Sequence, residues 1–297
     1  MVDYFSKYGY IPNKEAIESS LGIIASNLDG VVSNDVLKEC FSFMDLTSLR
    51  TNDTKESIIR FVEKANSLAV DFPDYPIPAS ICVFSNFASV VKSHINNPQI
   101  HTTVVSGCFP SSQSFIEVKV KECVMAVEAG ADEVDIVLAL NAFMANDYEV
   151  ASDEIRQMKV AIDKVAASKG KQVVLKVILE TGLLVTVENI ANASFLAMEA
   201  GADFIKTSTG KVDVNATPVA AFVMCECIKK YFEQTGRMVG FKAAGGISTA
   251  SDAVCYYSIV STVLGKKWID KKYFRLGVSR LANNLMSAIE QKTVTVF

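Results

Sequence analysis

Residues 199–211 read EAGADFIKTSTGK, and the first five letters of this stretch occur once before, at residues 128–132, directly ahead of EVDIV. Each copy closes a helical pattern with a glycine, the residue that most easily adopts the left-handed conformation ending a helix. Each copy is followed by a short apolar run with a charged residue in its interior, Lys206 in one case and Asp135 in the other. A helix, a glycine stop and a buried strand, used twice, indicate repeated βα units of a parallel sheet.

Outward from these two copies, the chain contains eight short apolar runs that we predict as strands. They are Phe41–Leu46, Ser80–Phe84, Thr102–Ser106, Glu133–Leu138, Val173–Leu179, Phe204–Ser208, Val239–Ala243 and Tyr273–Gly277. Helical patterns lie between many of them, at Lys55–Val70, Phe115–Ala129, Glu149–Ala167, Glu188–Ala200, Pro218–Glu233 and Val278–Gln291. Eight buried strands with helical crossovers predict an α/β protein with a closed (β/α)8 TIM barrel. A doubly wound open sheet is the alternative, although no GxGxxG motif follows the first strand.

The first 40 residues precede the predicted barrel. They contain two short helical patterns, Asn13–Ala25 and Asp35–Cys40, with Asp29-Gly30 as a turn between them. No Gly/Ser linker, charge block or low-complexity tract divides the chain further. We therefore predict an N-terminal helical extension of residues 1–40, packed on a barrel formed by residues 41–297. We expect the extension to cover the barrel bottom or to mediate contacts.

The composition excludes several classes of protein. The 297 residues are 50% hydrophobic and 21% charged, with a mean hydropathy of +0.26, which is too apolar for a disordered chain. Lys and Arg number 29 against 33 Asp and Glu, so there is no footprint for nucleic acid and no polybasic membrane anchor. No apolar run approaches the roughly 20 residues that span a bilayer, and the N-terminus lacks the apolar core of a signal peptide. We expect a cytoplasmic protein.

Cysteine and histidine usage argues against a metal centre. The seven cysteines are scattered mostly within apolar stretches and form no CxxC motif, which is typical of buried free thiols in a reducing compartment. The two histidines, His94 and His101, belong to no HExxH motif, whereas catalytic zinc usually takes two or three histidine ligands. We expect neither a metal nor a cofactor.

The most informative residues are ionisable groups inside the predicted strands. They are Asp45, Asp135, Lys176, Lys206 and Lys242. A charged group in an apolar run is costly to bury unless it is paired, and one alone would fit a strand cap or a structural ion pair. Five groups on five strands of a barrel converge on one cavity, which favours an active site. Gly240 and Ala244 share the face of Lys242 and are expected to leave room for a ligand.

Two of these lysines suggest a particular chemistry. Lys206 and Lys242 lie on adjacent predicted strands, which are about 4.8 Å apart in a sheet. A second ammonium group and burial both disfavour the charged form of a lysine, and a free amine can attack a carbonyl to form a Schiff base. Asp135 would offset the remaining charge and relay protons through water. Carbonyl chemistry through an imine is therefore the hypothesis from the residues alone.

Glycine-containing loops after three consecutive strands predict a phosphate site. They are Thr207–Lys211, Gly245–Ser248 and Gly277–Arg280. Loops after strands seven and eight commonly bind phosphate in this fold, with glycines for close approach and basic side chains for charge. Lys211 and Arg280 supply that charge, although a single Gly-Gly pair would also fit a tight turn.

Several long motifs, in order, resemble those of the 2-deoxyribose-5-phosphate aldolase family of class I aldolases. The resemblance runs from about Phe43 to Leu285. Its motifs are MDLT at 44–47, AGADEVD at 129–135, LKVILETG at 175–182, AGADFIKTSTGK at 200–211, VNAT at 214–217 and VGFKAAGG at 239–246. Members of this family have a (β/α)8 barrel and are usually homodimers, so the resemblance implies a homodimer or a higher homo-oligomer.

The resemblance implies a role for each of these positions. Lys206 would be the Schiff-base lysine, Lys242 the neighbour that lowers its pKa, and Asp135 the partner of Lys242 in proton relay. The reaction would be reversible cleavage of 2-deoxy-D-ribose 5-phosphate to acetaldehyde and D-glyceraldehyde 3-phosphate. The candidate substrate-binding residues are Asp45, Thr47, Cys82, Lys176 and Thr209, of which Cys82 is also read as a packed thiol. The candidate phosphate-binding residues are Gly210, Lys211, Gly245, Gly246, Ser248, Gly277, Ser279 and Arg280.

Three positions depart from the family pattern. Ser248 stands where members usually carry a basic residue, whereas Arg280 adds a charge in the strand-eight loop, and we hypothesise that it replaces the missing one. Some members end in a tyrosine that aids proton transfer, and the last residue here is Phe297. These departures keep two alternatives open. One is an aldolase-like binding protein with little turnover, and the other is a Schiff-base aldolase for another phosphosugar.

Overall fold

A computed structural model describes residues 3–297, and its centre is a closed barrel of eight parallel strands. The strands are β1 Met44–Thr47, β2 Ser80–Phe84, β3 His101–Val105, β4 Glu133–Val137, β5 Val174–Ile178, β6 Phe204–Lys206, β7 Gly240–Ala244 and β8 Phe274–Val278. They follow one another around the barrel in chain order, and β8 pairs with β1. The predicted (β/α)8 barrel is confirmed, and the open-sheet alternative is wrong.

Helices surround the barrel and connect its strands. In residues 3–297 they are α1 Tyr4–Tyr8, α2 Lys14–Ser26, α3 Leu28–Val31, α4 Asn34–Ser42, α5 Lys55–Asp71, α6 Ala88–His94, α7 Ile116–Glu128, α8 Leu140–Met144, α9 Tyr148–Ser168, α10 Thr181–Leu184, α11 Val187–Glu199, α12 Pro218–Thr235, α13 Ala250–Val263 and α14 Leu281–Glu290. None of these helices combines the length and the apolar character that a membrane span requires.

The two copies of the repeated motif have the same backbone geometry. Gly130 follows α7 with φ of 109°, and Gly201 follows α11 with φ of 107°, both in the left-handed region. In each copy the amide of the next alanine donates to a carbonyl five residues earlier, at distances of 3.1 and 3.0 Å. This closure satisfies the last carbonyls of each helix and turns the chain into β4 or β6.

Two local predictions are wrong. Phe41 was expected to begin the first strand, but it belongs to α4, where its ring packs edge-on against Tyr75 at 5.5 Å. Ser33 caps that helix, and its buried stripe of Leu37, Cys40 and Phe41 continues past the expected end at residue 40. The expected turn at 29–30 lies inside the single-turn helix α3. At Phe41, tertiary packing overrides the apolar pattern that predicted a strand.

The N-terminal extension packs on the side of the barrel. Helices α1 to α3 lie against α11, α12 and α13, the outer helices that follow β5, β6 and β7. The ring of Tyr8 stacks on Phe195 with centroids 4.4 Å apart, and its hydroxyl donates to Glu199 at 2.7 Å. The hydroxyl of Tyr10 donates to Glu226 at the same distance. Stacked aromatic rings with satisfied hydroxyls fix the extension on these helices.

The pleat of the strands turns alternate side chains into the barrel interior. On β7 this places Gly240, Lys242 and Ala244 on one face, as the sequence suggested. A Cβ atom at Gly240 would collide with the ring of Phe204, so the expectation that Gly240 leaves room for a ligand is wrong. The space is filled by that ring, over which the Arg275 guanidinium lies at 5.7 Å.

Candidate active site

Asp135 on β4 lies at the centre of a buried cluster of charges. Its Oδ1 accepts a hydrogen bond from Lys176 at 2.8 Å, and its Oδ2 accepts from Lys206 and from Lys242, each at 2.9 Å. The sheet register places Asp135 beside Lys176 and places Lys206 beside Lys242 on adjacent strands. One carboxylate therefore contacts three lysines inside the barrel.

Three more residues extend this cluster into a closed ring. Its members are, in order, Asp45, Lys242, Asp135, Lys176, Glu133 and Arg275, and we name it the charge ring. Besides the contacts of Asp135, Lys242 lies 2.5 Å from Asp45 and Lys176 lies 2.5 Å from Glu133. Arg275 closes the ring by donating to Asp45 and to Glu133, at 2.7 Å each. Acids and bases alternate around the ring, so each buried charge contacts two of opposite sign.

Lys206 is a seventh charge attached to this balanced ring. Burial lowers the pKa of Lys206, the ammonium group of Lys242 lowers it further, and Asp135 offsets only part of that effect. Burial also acts on Lys176 and Lys242, but their carboxylate partners outweigh it and raise both pKa values. Burial alone would raise the pKa of Asp135, yet the three lysines hold it far below its usual range. The geometry therefore favours a free amine at Lys206 before any other base in the cluster.

A cavity of about 350 Å³ opens above Lys206 at the carboxyl end of the strands. Ten of the site residues predicted from the sequence line this cavity: Thr47, Lys206, Thr209, Gly210, Lys211, Gly245, Gly246, Gly277, Ser279 and Arg280. Lys206 is the member of the charged cluster that lines this cavity, while the six ring residues do not. The cavity thus gives a ligand access to one lysine of the three around Asp135.

The other site residues predicted from the sequence do not line the cavity. Lys176 has no exposed side-chain surface and contacts Glu133 and Asp135, so the structure gives it a place in the charge ring and no direct access to the cavity. Cys82 is equally buried, and this burial raises the pKa of its thiol. The amide of Ser248 donates to Asp252 at 3.0 Å, in the turn that begins α13.

The loops around the cavity mouth bring backbone and basic groups together. Gly210, Gly245 and Gly246 have φ between 78° and 81°, a conformation that residues with a Cβ rarely adopt. Helix α14 begins directly after Arg280 and has no side-chain cap, so the amide groups of its first turn have no acceptor from that residue. Free amides at a helix N-terminus, close to basic side chains, suit an anionic group.

Sequence reasoning missed several residues of the site. Glu133 and Arg275 stand two positions before Asp135 and Gly277, so the strand period of two was a signal for both. Arg50, in the loop after β1, lines the cavity without any periodic signal. Buried Glu180 has a left-handed φ of 55°, and its carboxylate accepts from the amide and the hydroxyl of Thr209, at 3.2 and 2.5 Å.

Comparisons with known proteins agree with this architecture. A sequence profile of the "DeoC/LacD family aldolase" matches residues 42–258. A protein of Caenorhabditis elegans named "Putative deoxyribose-phosphate aldolase" is 35% identical over 259 residues, which is 86% of this chain and 82% of that protein.

Two solved structures support the fold. One, from Toxoplasma gondii and with the same designation, superimposes with a TM-score of 0.72 at 22% identity, over 87% of this chain and 95% of that one. The tetrameric deoxyribose phosphate aldolase of Aeropyrum pernix gives 0.65 at 24% identity, over 93% and 98%. Since the family profile covers most of the chain and the barrel carries the matching motifs, the chain belongs to the DeoC/LacD family of aldolases.

Proposed function

We propose that this protein is a class I aldolase that reversibly cleaves 2-deoxy-D-ribose 5-phosphate to acetaldehyde and D-glyceraldehyde 3-phosphate. The observation that carries the proposal is the position of Lys206. It lies at the floor of the cavity, its pKa is lowered, and it shares its carboxylate partner with two other lysines. Family membership and the relative in C. elegans support the substrate class.

The first step is formation of an imine on Lys206. The free Nζ attacks C1 of the open-chain aldehyde, a C–N bond forms, and the carbonyl oxygen leaves as water after taking up two protons. The product is a protonated imine, which keeps one positive charge on the nitrogen. Asp135, whose Oδ2 is 2.9 Å from this nitrogen, neutralises that charge without moving.

The second step breaks the C2–C3 bond. The C3 hydroxyl loses its proton, and D-glyceraldehyde 3-phosphate leaves as the C2–C3 bond breaks. The electron pair of that bond forms the C1=C2 double bond of an enamine, while the C=N π pair moves onto the Lys206 nitrogen and cancels its positive charge. We assign the proton to a water-mediated path toward Asp135 and Lys242. Because the pKa of Asp135 is far below its usual range, the proton passes along this path and does not rest on the carboxylate. The enamine then takes a proton at its terminal carbon, and hydrolysis of the imine releases acetaldehyde and frees Lys206.

The phosphate of the substrate fits the opposite side of the cavity. Arg280, Lys211 and the N-terminus of α14 supply positive charge there, and Gly245 and Gly246 allow close backbone approach. Lys211 also donates to the carbonyl of Leu49 at 2.6 Å, which ties the loop after β6 to the loop after β1. In this proposal Arg280 supplies the positive charge that is missing at Ser248.

Replacement of Arg280 by alanine tests this assignment. We expect KM for 2-deoxyribose 5-phosphate to rise about tenfold or more with little change in kcat, because one charge-assisted hydrogen bond to the phosphate is lost. The matched control is unphosphorylated 2-deoxyribose, for which R280A and the unaltered enzyme should have the same kcat/KM. An unchanged KM for the phosphorylated sugar contradicts the assignment.

Borohydride trapping tests the proposed function itself. The protein is incubated with 2-deoxyribose 5-phosphate and borohydride, and the product is analysed by intact mass and peptide mapping. A reduced adduct on Lys206, with release of acetaldehyde in the absence of borohydride, is the expected result. Ribose 5-phosphate and fructose 1,6-bisphosphate serve as competing substrates, and faster cleavage of either would overturn the assigned substrate. A folded protein without adduct would favour a binding function.

We also propose that the chain forms a homo-oligomer, as the A. pernix relative does. Exposed apolar side chains on the neighbouring helices α7 and α9 support a contact surface there. They are Phe115, which precedes α7, Val118 and Met125 on α7, and Val160 on α9. Light scattering on the purified protein measures its mass in solution, and a mass of 32.3 kDa would contradict the proposal.

A further inference from the structure

The closure of the charge ring by Glu133 and Arg275 has no direct role in the proposed chemistry. Both residues are buried below Asp135, and neither lines the cavity. Arg275 nevertheless donates hydrogen bonds to one carboxylate oxygen of Asp45, at 2.7 Å, and to both carboxylate oxygens of Glu133, at 2.7 and 3.1 Å. Glu133 in turn contacts Lys176 at 2.5 Å. Glu133 and Arg275 therefore determine how much negative charge is available to the three lysines.

We propose that Glu133 and Arg275 are positioning residues that set the protonation of Lys206 by closing the charge ring, an inference that rests on the proposed imine chemistry. The closed ring contains three acids and three bases, so no carboxylate remains for Lys206 alone. Arg275 now shares Asp45 with Lys242 and Glu133 with Lys176. Without Arg275, both carboxylates would serve these two lysines alone, which would leave more of the negative charge of Asp135 to hold Lys206 as an ammonium ion. The closed ring thus disfavours the ammonium form of Lys206.

Other ionisable groups also face Lys206 or the charge ring, and a test of the proposal has to leave them unchanged. Asp135 and Lys242 contact or face Lys206 from β4 and β7, Cys82 faces it from β2, and Glu180 from the end of β5. At the opposite end of the ring, His101 on β3 lies 2.7 Å from Glu133. A test that alters only Glu133 and Arg275 leaves all of these groups in place.

The opposite charges of the two residues give a test that separates charge control from simple support of the fold. Acetaldehyde and cyanoborohydride are the probe, because neither depends on the phosphate site. The rate of adduct formation on Lys206 is measured between about pH 5 and pH 9 for the full-length protein, and the midpoint reports the amine that attacks. The variants are R275M, E133Q and the double variant. K119M, which removes a buried lysine paired with Glu154 outside the barrel interior, is the matched control.

The two single variants should move the midpoint in opposite directions. Loss of the positive charge in R275M stabilises the Lys206 ammonium ion, so the midpoint should rise by about one pH unit. Loss of the negative charge in E133Q should lower it by a similar amount. The double variant removes one charge of each sign, so its midpoint should return to that of the unaltered protein, where K119M should also remain.

Each outcome decides whether Glu133 and Arg275 control the charge of Lys206 or only support the fold. Equal midpoints in folded R275M, E133Q and unaltered protein would overturn the proposal, as would shifts of the same sign. If one single variant does not fold, the other single variant and the double variant still give the sign and its reversal. Absence of an adduct in the unaltered protein would instead contradict the proposed function, which distinguishes the two failures.

Discussion

Replacement of Lys206 by methionine is expected to abolish both the trapped adduct and turnover. Methionine keeps most of the side-chain volume and is apolar, so the barrel interior also loses its one unbalanced charge. Without the nucleophile there is no imine to accept the electron pair from the C2–C3 bond. Loss of a covalent nucleophile commonly reduces kcat by about 10⁴-fold or more, and we expect a loss of at least that size.

The same variant should be at least as stable as the unaltered protein. A buried lysine that shares its carboxylate with two others contributes little attraction to offset its desolvation. Thermal unfolding measures this, with K230M as the control because Lys230 is an exposed surface lysine paired with Glu233. Retained turnover in K206M, or an adduct that maps to Lys242, would show that a different amine carries the chemistry.

Most of the barrel interior could be predicted from the sequence because two periodic signals coincide there. Apolar runs of strand length predicted all eight strands, and charged residues inside those runs predicted the buried cluster. Lys206 and Lys242 are register partners, as their adjacent strands implied. Glu133 and Arg275 obey the same period and follow from it once Asp135 and Gly277 are known to face inward.

The rest could not be predicted because loops and outer surfaces have no such period. Arg50 and Asn215 reach the cavity through turns whose path depends on tertiary contacts. One such contact is the packing of Asn215 against Gly245, where an added Cβ atom would lie 2.6 Å from the Asn215 side-chain oxygen. Ser248 stands in the nominated loop, but its amide binds Asp252 in the turn that begins α13. The position of the extension depends on pairings such as Tyr8 with Phe195, nearly 190 residues apart in sequence.

Asp135→Asn should be the most destabilising of the conservative substitutions in the cluster. Asparagine has nearly the same shape, but it removes the charge that three buried lysines share. Breaking a buried ion pair by removing one partner costs about 3–5 kcal/mol, and we expect a loss of that size in the free energy of unfolding near neutral pH. Chemical denaturation measures it, with D163N as the control because Asp163 is half-exposed and pairs with Lys159 on the surface of α9.

The pH dependence of this variant identifies the cause of the loss. Without the carboxylate, the buried lysines of the folded state bind protons less tightly than those of the unfolded chain, whose pKa is about 10.4. The unfolded state then carries more protons, so the free energy of unfolding of D135N should increase as the pH rises from neutral toward that value. In the unaltered protein the depressed pKa of Asp135 has its effect at acid pH, where stability falls as the carboxylate takes up a proton. A small loss in D135N without any rise toward alkaline pH would mean that the lysines do not depend on Asp135 for their charge, and the balanced ring would then not explain the reactivity of Lys206.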